Sequence, residues 1–150
     1  MTVCGTLALA ACQSDLGVEL PALSLPRATD EEQIALVLND VQTGMQTKRI
    51  FKVLAHVSRS YRDGEGRDYD GIRNYLSEIF RAYRTIKITR TNPRIVVEGD
   101  RARAIETFGT IAEPMETSTL PPINLQGQVS VYLERAKDTW LIVEWGPLGA

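Results

Sequence analysis

Two glutamates, Glu106 and Glu144, each stand on the apolar side of a stretch that alternates between apolar and polar residues. In RARAIETFGTIA the series Ala102, Ala104, Glu106, Phe108 falls on one face of a strand, and in TWLIVEW the series Trp140, Ile142, Glu144 does the same. A carboxyl group in apolar surroundings has a raised pKa and can work as a general acid or base near neutral pH. The plainer reading, which we favour, pairs Glu106 with an arginine such as Arg81 or Arg84 and leaves Glu144 in water. Tyr61 and Tyr83 could each donate a hydroxyl to a ligand, although such aromatics more often belong to a core with the hydroxyl at its rim. Tyr61, Tyr83, Glu106, Phe108 and Glu144 are therefore the ligand-pocket candidates, with Glu106 and Glu144 as the catalytic alternative.

Other chemistries lack their residues. The acidic turn DGEGRDYDG holds Asp63, Glu65, Asp68 and Asp70, but an EF-hand loop begun at Asp63 would need Gly at its sixth position and Glu at its twelfth. Asp68 and Asn74 stand there instead. No Gly-x-Ser-x-Gly motif and no cluster of metal ligands is present, so neither a metal nor a cofactor is expected.

The elements that must position these residues can be read from periodicity. Thr29 followed by Glu32 fits a capping box, and Ile34, Val37, Leu38, Val41 and Met45 make one apolar stripe on the helix that follows. Thr47 is placed to cap a second short helix, KRIFKVLA. Asp70 is placed to cap a third, GIRNYLSEIFRAY, with Ile72, Tyr75, Leu76, Ile79, Phe80 and Tyr83 on its buried face. From Thr85 the period becomes alternating, and TIKITR, RIVVEG, RARAIETFGTIA, GQVSVYLERA and TWLIVEW read as strands joined by turns at Gly99-Asp100 and Lys137-Asp138. The segment EPMETSTLPPINLQ reads as an exposed loop. Helices followed by antiparallel strands imply an α+β domain whose sheet buries one face on the helices.

At 150 residues and a net charge of −2, the chain is one domain with enough length for a core and no electrostatic attraction to nucleic acid. The arginines from Arg81 to Arg103 are interrupted by Glu98 and Asp100 and suit a solvated strand face better than a nucleic-acid groove. At the N-terminus, Val3 to Ala11 is an uncharged run, far short of the roughly 20 residues that span a bilayer. It ends in Leu9-Ala10-Ala11-Cys12, which resembles a bacterial lipobox. On that resemblance residues 1–11 are a signal peptide, Cys12 is the lipidated first residue, residues 12–28 form a tether containing Pro21 and Pro26, and the domain spans 29–148. Loss of Cys4 with the signal would leave no other thiol, hence no disulfide. Gln13 and Ser14, in place of Asp, point to the outer membrane, with the domain facing the periplasm.

Three helices, an extended piece at Ser60-Tyr61-Arg62-Asp63, the run Ile95 to Ala104 with its Gly-Asp turn, and Val131 to Arg135 followed by Asp138-Thr139-Trp140-Leu141-Ile142 resemble the nuclear transport factor 2-like superfamily over residues 30–147. The resemblance implies three N-terminal helices packed on a curved, mixed or antiparallel sheet that forms a cone. Its members include polyketide cyclases, ketosteroid isomerases, scytalone dehydratase and limonene epoxide hydrolase, alongside non-catalytic binding domains. In the enzymes, acid–base residues project into the cone. His56 is the only histidine, a poor match to the His-Asp pairs of the dehydratase branch. The resemblance also implies homodimers formed through the outer sheet face, here carrying Ser130 and Tyr132.

The expected function is a lipid-anchored envelope domain, non-enzymatic, that binds a small apolar ligand or an envelope protein. The alternative is a periplasmic isomerase, cyclase or hydrolase with a pocket carboxylate as general base.

Overall fold

A computed structural model describes residues 26–147. The signal peptide, Cys12 and most of the tether lie outside the described residues.

Helix α1 (Asp30–Gln46) starts at the expected capping box. Thr29 Oγ1 accepts from the Glu32 N–H at 3.2 Å, and Glu32 Oε2 accepts from the Thr29 N–H at 2.8 Å. Its apolar stripe is buried at Ile34, Val37, Leu38 and Val41. Thr47 does not cap the next helix. Its N–H and its hydroxyl both return to the Thr43 carbonyl, at 2.9 and 2.6 Å, and close α1 instead. The chain then reverses through Lys48 at φ 54° into the short α2 (Ile50–Leu54), whose start has no side-chain cap. Gly44 lets α2 come this close: a Cβ there would stand 2.7 Å from Val53 Cγ2.

Helix α3 (Tyr69–Ala82) is capped by Asp68, whose carboxylate accepts from the Gly71 N–H at 2.8 Å. Asp70, the expected cap, lies in the first turn because the helix begins at Tyr69. Ile72 and Leu76 are buried, whereas Tyr75 is 42% exposed and Tyr83 has already left the helix.

The strands β1 (Tyr83–Arg90), β2 (Arg94–Glu98), β3 (Arg101–Pro114), β4 (Ile123–Ala136) and β5 (Thr139–Pro147) form one antiparallel, unclosed sheet in the order β1-β3-β4-β5. The short β2 lies end to end with β1 along the same edge of β3, opposite Arg101–Ile105. The expected loop between β3 and β4 shrinks to residues 115–122, since Glu113-Pro114 extend β3 and Ile123–Gln126 begin β4. Both turns fall where expected, with Gly99 at φ 61° and Lys137 at φ 59°.

The helices and the inner sheet face share one core, in which Ala102 and Ala104 admit the helices while Val131, Leu133, Trp140 and Ile142 supply bulk. Burying each large side chain contributes about 1.5–3 kcal/mol relative to exposure. The outer strands β5 and β1 are each covered in part. Beside β5, the Ser58 N–H donates to the Ile142 carbonyl at 2.8 Å and the Arg62 N–H to the Val143 carbonyl at 3.0 Å. Beside β1, two glutamines of α1 replace a strand: Gln42 Nε2 donates to the Ile88 carbonyl, and the Ile88 N–H donates to Gln46 Oε1, both at 2.8 Å.

β5 contains one irregularity. Leu133 faces Ile142, yet Tyr132 faces Glu144, so Val143 has no partner on β4. This β-bulge reverses the side-chain alternation beyond it.

Candidate functional site

Beneath the helices, the inner sheet face bounds a cavity of about 600 Å³. That lies within the roughly 300–1,000 Å³ usual for small-molecule sites. Leu38, Val41 and Met45 of α1, Ile72 and Leu76 of α3, and Ile88, Phe108 and Val129 of the sheet make its walls mainly apolar. Tyr75 and Leu125, 42% and 55% exposed, mark its open side.

Three of the five residues expected to line a pocket meet here, namely Tyr61, Glu106 and Phe108. Glu144 is excluded by the Val143 bulge. The extra residue turns Glu144 to the side of Tyr132 on the outer face and brings Trp145 into the cavity wall. Tyr83 is absent from the lining because it opens β1 at the sheet's far end. It packs with Ile86 and Ala112 in a second small core, and its hydroxyl donates to the Pro121 carbonyl at 2.8 Å.

Glu106 is paired with an arginine, but the partner is Arg90 rather than Arg81 or Arg84. Arg81 returns to the Ser77 carbonyl of its own helix, and Arg84 pairs with Glu113 on the surface. Arg90 Nη1 donates to Glu106 Oε1, Nη2 to Asn39 Oδ1, and Nε to Gln42 Oε1 at 2.6 Å. Gln42 is itself fixed by its bond to the Ile88 carbonyl. Burial pushes the Glu106 carboxyl above the ordinary glutamate value, against the opposing pull of the Arg90 guanidinium. The sequence does carry a signal for Arg90: Ile86, Ile88 and Arg90 share one parity on β1, so the arginine belongs to an inward-facing series and must find a carboxylate there.

The rim is built by residues 61–67. Tyr61 is buried, donates its hydroxyl to Asp63 Oδ2 at 3.0 Å and accepts from the Trp145 N–H at 3.4 Å. Burial raises the Tyr61 phenol far above its ordinary value, so it remains a neutral donor. Asp63 Oδ1 accepts the N–H groups of Glu65 and Arg67 at 3.0 and 2.9 Å, and the Arg67 guanidinium bonds Asp63 and Glu65 while lying 4.3 Å from the centre of the Tyr75 ring. The acidic turn is thus a self-satisfied knot. Among the described residues no three His, Cys, Asp or Glu side chains gather so as to hold a metal ion. His56 bonds Asp40 at 3.1 Å, away from the cavity lining.

No protein-family model matches the chain, and no curated protein matches it in sequence. Solved structures do match its fold. A nuclear transport factor 2-like superfamily protein from Salmonella enterica serovar Typhimurium aligns with a TM-score of 0.67 at 15% identity, covering 79% of this chain and 89% of that one. A hexachlorocyclohexane dehydrochlorinase from Novosphingobium barchaimii aligns at 0.64 and 14%, covering 76% and 82%. A candidate scytalone dehydratase from Novosphingobium aromaticivorans aligns at 0.67 and 16%, covering 76% and 79%.

Proposed function

We propose, for a chain that has the nuclear transport factor 2-like fold, that the cavity holds a small, mostly apolar ligand without transforming it. We further propose that Cys12 anchors the domain to the bacterial cell envelope. The observation that carries the binding reading is an open apolar cavity whose one deep carboxylate is already matched by Arg90, with no histidine or cysteine among the described residues that line it. A general base needs a lone pair aimed at the substrate and a pKa near the working pH, and pairing with a guanidinium works against the second.

Titration of the full chain with the neutral, apolar fluorophore N-phenyl-1-naphthylamine tests this. Saturable one-site binding is expected, and Gly127→Leu should abolish it with little change in melting. Gly127 is on the inner face of β4, where a Cβ would sit 3.6 Å from the Phe108 ring, an ordinary contact, and a longer side chain would extend into the cavity. Absent or non-saturable binding would count against the reading. The anchor is tested separately: Cys12→Ala should move the protein from the detergent-extracted membrane fraction to the soluble one, and retention there would contradict it.

One observation favours a second reading, in which Glu106 is the general base of an isomerase, cyclase or hydrolase. Burial raises its carboxyl towards the range where such bases work. Mass spectrometry of recovered ligand, altered by the wild type but not by Glu106→Gln, would establish that reading.

A further inference from the structure

We propose that the ligand is an uncharged apolar molecule bearing a hydroxyl group, and that Oε2 of Glu106 receives the hydroxyl hydrogen, so that alcohols or phenols are selected and carboxylates excluded. This rests on the small-ligand reading above and names the chemistry that the cavity selects.

The first support is the way Arg90 is used up. Each of its three nitrogens already serves a protein acceptor: Glu106, Asn39 and Gln42. An arginine meant to receive a ligand carboxylate would present its two-pronged edge to the cavity, as such pairs require. Here that edge is spent on the protein. The second cation of the lining, Arg67, is held by Asp63 and Glu65 and stacked on Tyr75.

The second support is the oxygen left over. Arg90 engages Glu106 Oε1, and no donor among the described residues reaches Oε2. No buried side-chain nitrogen or oxygen among the described residues lacks a partner, so Oε2 is not sealed in. It belongs to a side chain on the inner face of β3 that lines the cavity, and the cavity is where it opens. An ionised carboxylate only accepts hydrogen bonds, so the group that meets it must donate.

Charge supplies the third support. Three carboxylates, Asp63, Glu65 and Glu106, face two guanidinium groups, Arg67 and Arg90, among the lining residues, leaving a net charge of −1. A ligand anion would meet an uncompensated like charge in apolar surroundings. A neutral hydroxyl meets no such cost and gives the Glu106 oxygen a charge-assisted bond.

Calorimetry on the full chain with four matched probes tests the inference: 2-naphthol, 2-methoxynaphthalene, 2-naphthoate and 2-naphthylmethylamine. The hydroxyl probe should bind about tenfold or more tightly than its methyl ether, because one hydrogen bond to a charged group separates them. Naphthoate should bind more weakly than either. In Glu106→Gln, Arg90 loses its counter-charge, and naphthoate should overtake naphthol. Equal binding of naphthol and its ether, or tighter binding of the carboxylate or the amine to the wild type, overturns this inference and leaves the small-ligand reading standing. Failure of all four probes to bind the wild type overturns both. The wild-type ranking decides the matter even if Glu106→Gln does not fold.

Discussion

At the scale of single residues, the Arg90–Glu106 pair is where stability and recognition meet. Both side chains are about nine-tenths buried. Removing one partner of a buried ion pair strands the other, at a cost of about 3–5 kcal/mol. Arg90→Met should therefore lower the urea-unfolding free energy by about that amount and push the Glu106 carboxyl further up. Arg90→Met with Glu106→Met should recover most of the loss, since two apolar side chains leave nothing unpaired. Recovery in the double variant distinguishes pairing from simple packing. Strand alternation made Glu106 and Phe108 legible as inward residues; Arg90 carries the same parity, but it was read with its neighbouring arginines as part of a solvated strand face, whereas its side chain is nine-tenths buried. Its partner choice was not visible, because which arginine faces Glu106 depends on β1 crossing β3 with Arg90 opposite Phe108, a register no single strand encodes.

At the scale of elements, the α1–α2 contact depends on a missing side chain. Gly44 faces Val53 so closely that a methyl group would stand 2.7 Å from Cγ2 and 3.2 Å from the Val53 backbone nitrogen. Gly44→Ala should destabilise by about 1–3 kcal/mol despite the better helix propensity of alanine. Adding Val53→Ala should relieve the side-chain part of the clash, and a double-mutant cycle by chemical denaturation should show that coupling. The helices themselves were readable from their stripes and from the Thr29–Glu32 box. Their ends were less so. Thr47 and Asp70 are both residue types that cap, yet the turn through Lys48 and the capping bond from Asp68 displaced them, because a cap depends on local backbone angles that composition does not determine. The expected loop before β4 was drawn too long for a related reason: Glu113, Asn124 and Gln126 at its ends are polar residues of paired strand, where one face meets water.

At the scale of the whole molecule, acid should separate two kinds of carboxylate. The Asp30 carboxyl is held below the ordinary 3.8 by its hydrogen bond from Arg135, and that of Asp40 by Lys52 and then His56. At Asp63, burial acts to raise the value, but the Arg67 backbone and guanidinium and the Tyr61 hydroxyl together outweigh it and the net direction is down. For these three the unfolded chain takes up protons first. Their contribution to stability is present above about pH 3.8 and is lost as pH falls through the lowered values. Glu106 runs the other way. Its folded carboxyl binds a proton above 4.5, so its contribution is full below 4.5 and is lost as pH rises through the raised value. Melting temperature should rise slightly as pH falls towards 4.5 through the raised Glu106 value and drop steeply below 3.8, and Asp63→Asn should flatten that drop.

Arg135 deserves a place in the same scheme, because it joins both ends of the domain. Its guanidinium makes two bonds to Asp30 at the start of α1, at 2.9 and 2.8 Å, and lies 4.5 Å from the centre of the Trp140 ring near the last turn. Arg135→Ala should lower the melting temperature at pH 7 and weaken its dependence on acid, which a pair of melting curves would show.

Val143 carries a consequence of another kind. Side-chain direction along a strand is a parity, and one supernumerary residue inverts that parity for everything downstream. Glu144 keeps its carboxyl outside, and Trp145 sits within, because of a count rather than because of what either residue is. A chain shorter by this one residue would alternate regularly from Ile142 and still hold Glu144 outside and Trp145 within, because the inversion leaves with the residue that causes it. An indel at this one place therefore leaves inner and outer residues where they are, whereas one within the regular part of β5 would exchange the faces of every residue beyond it.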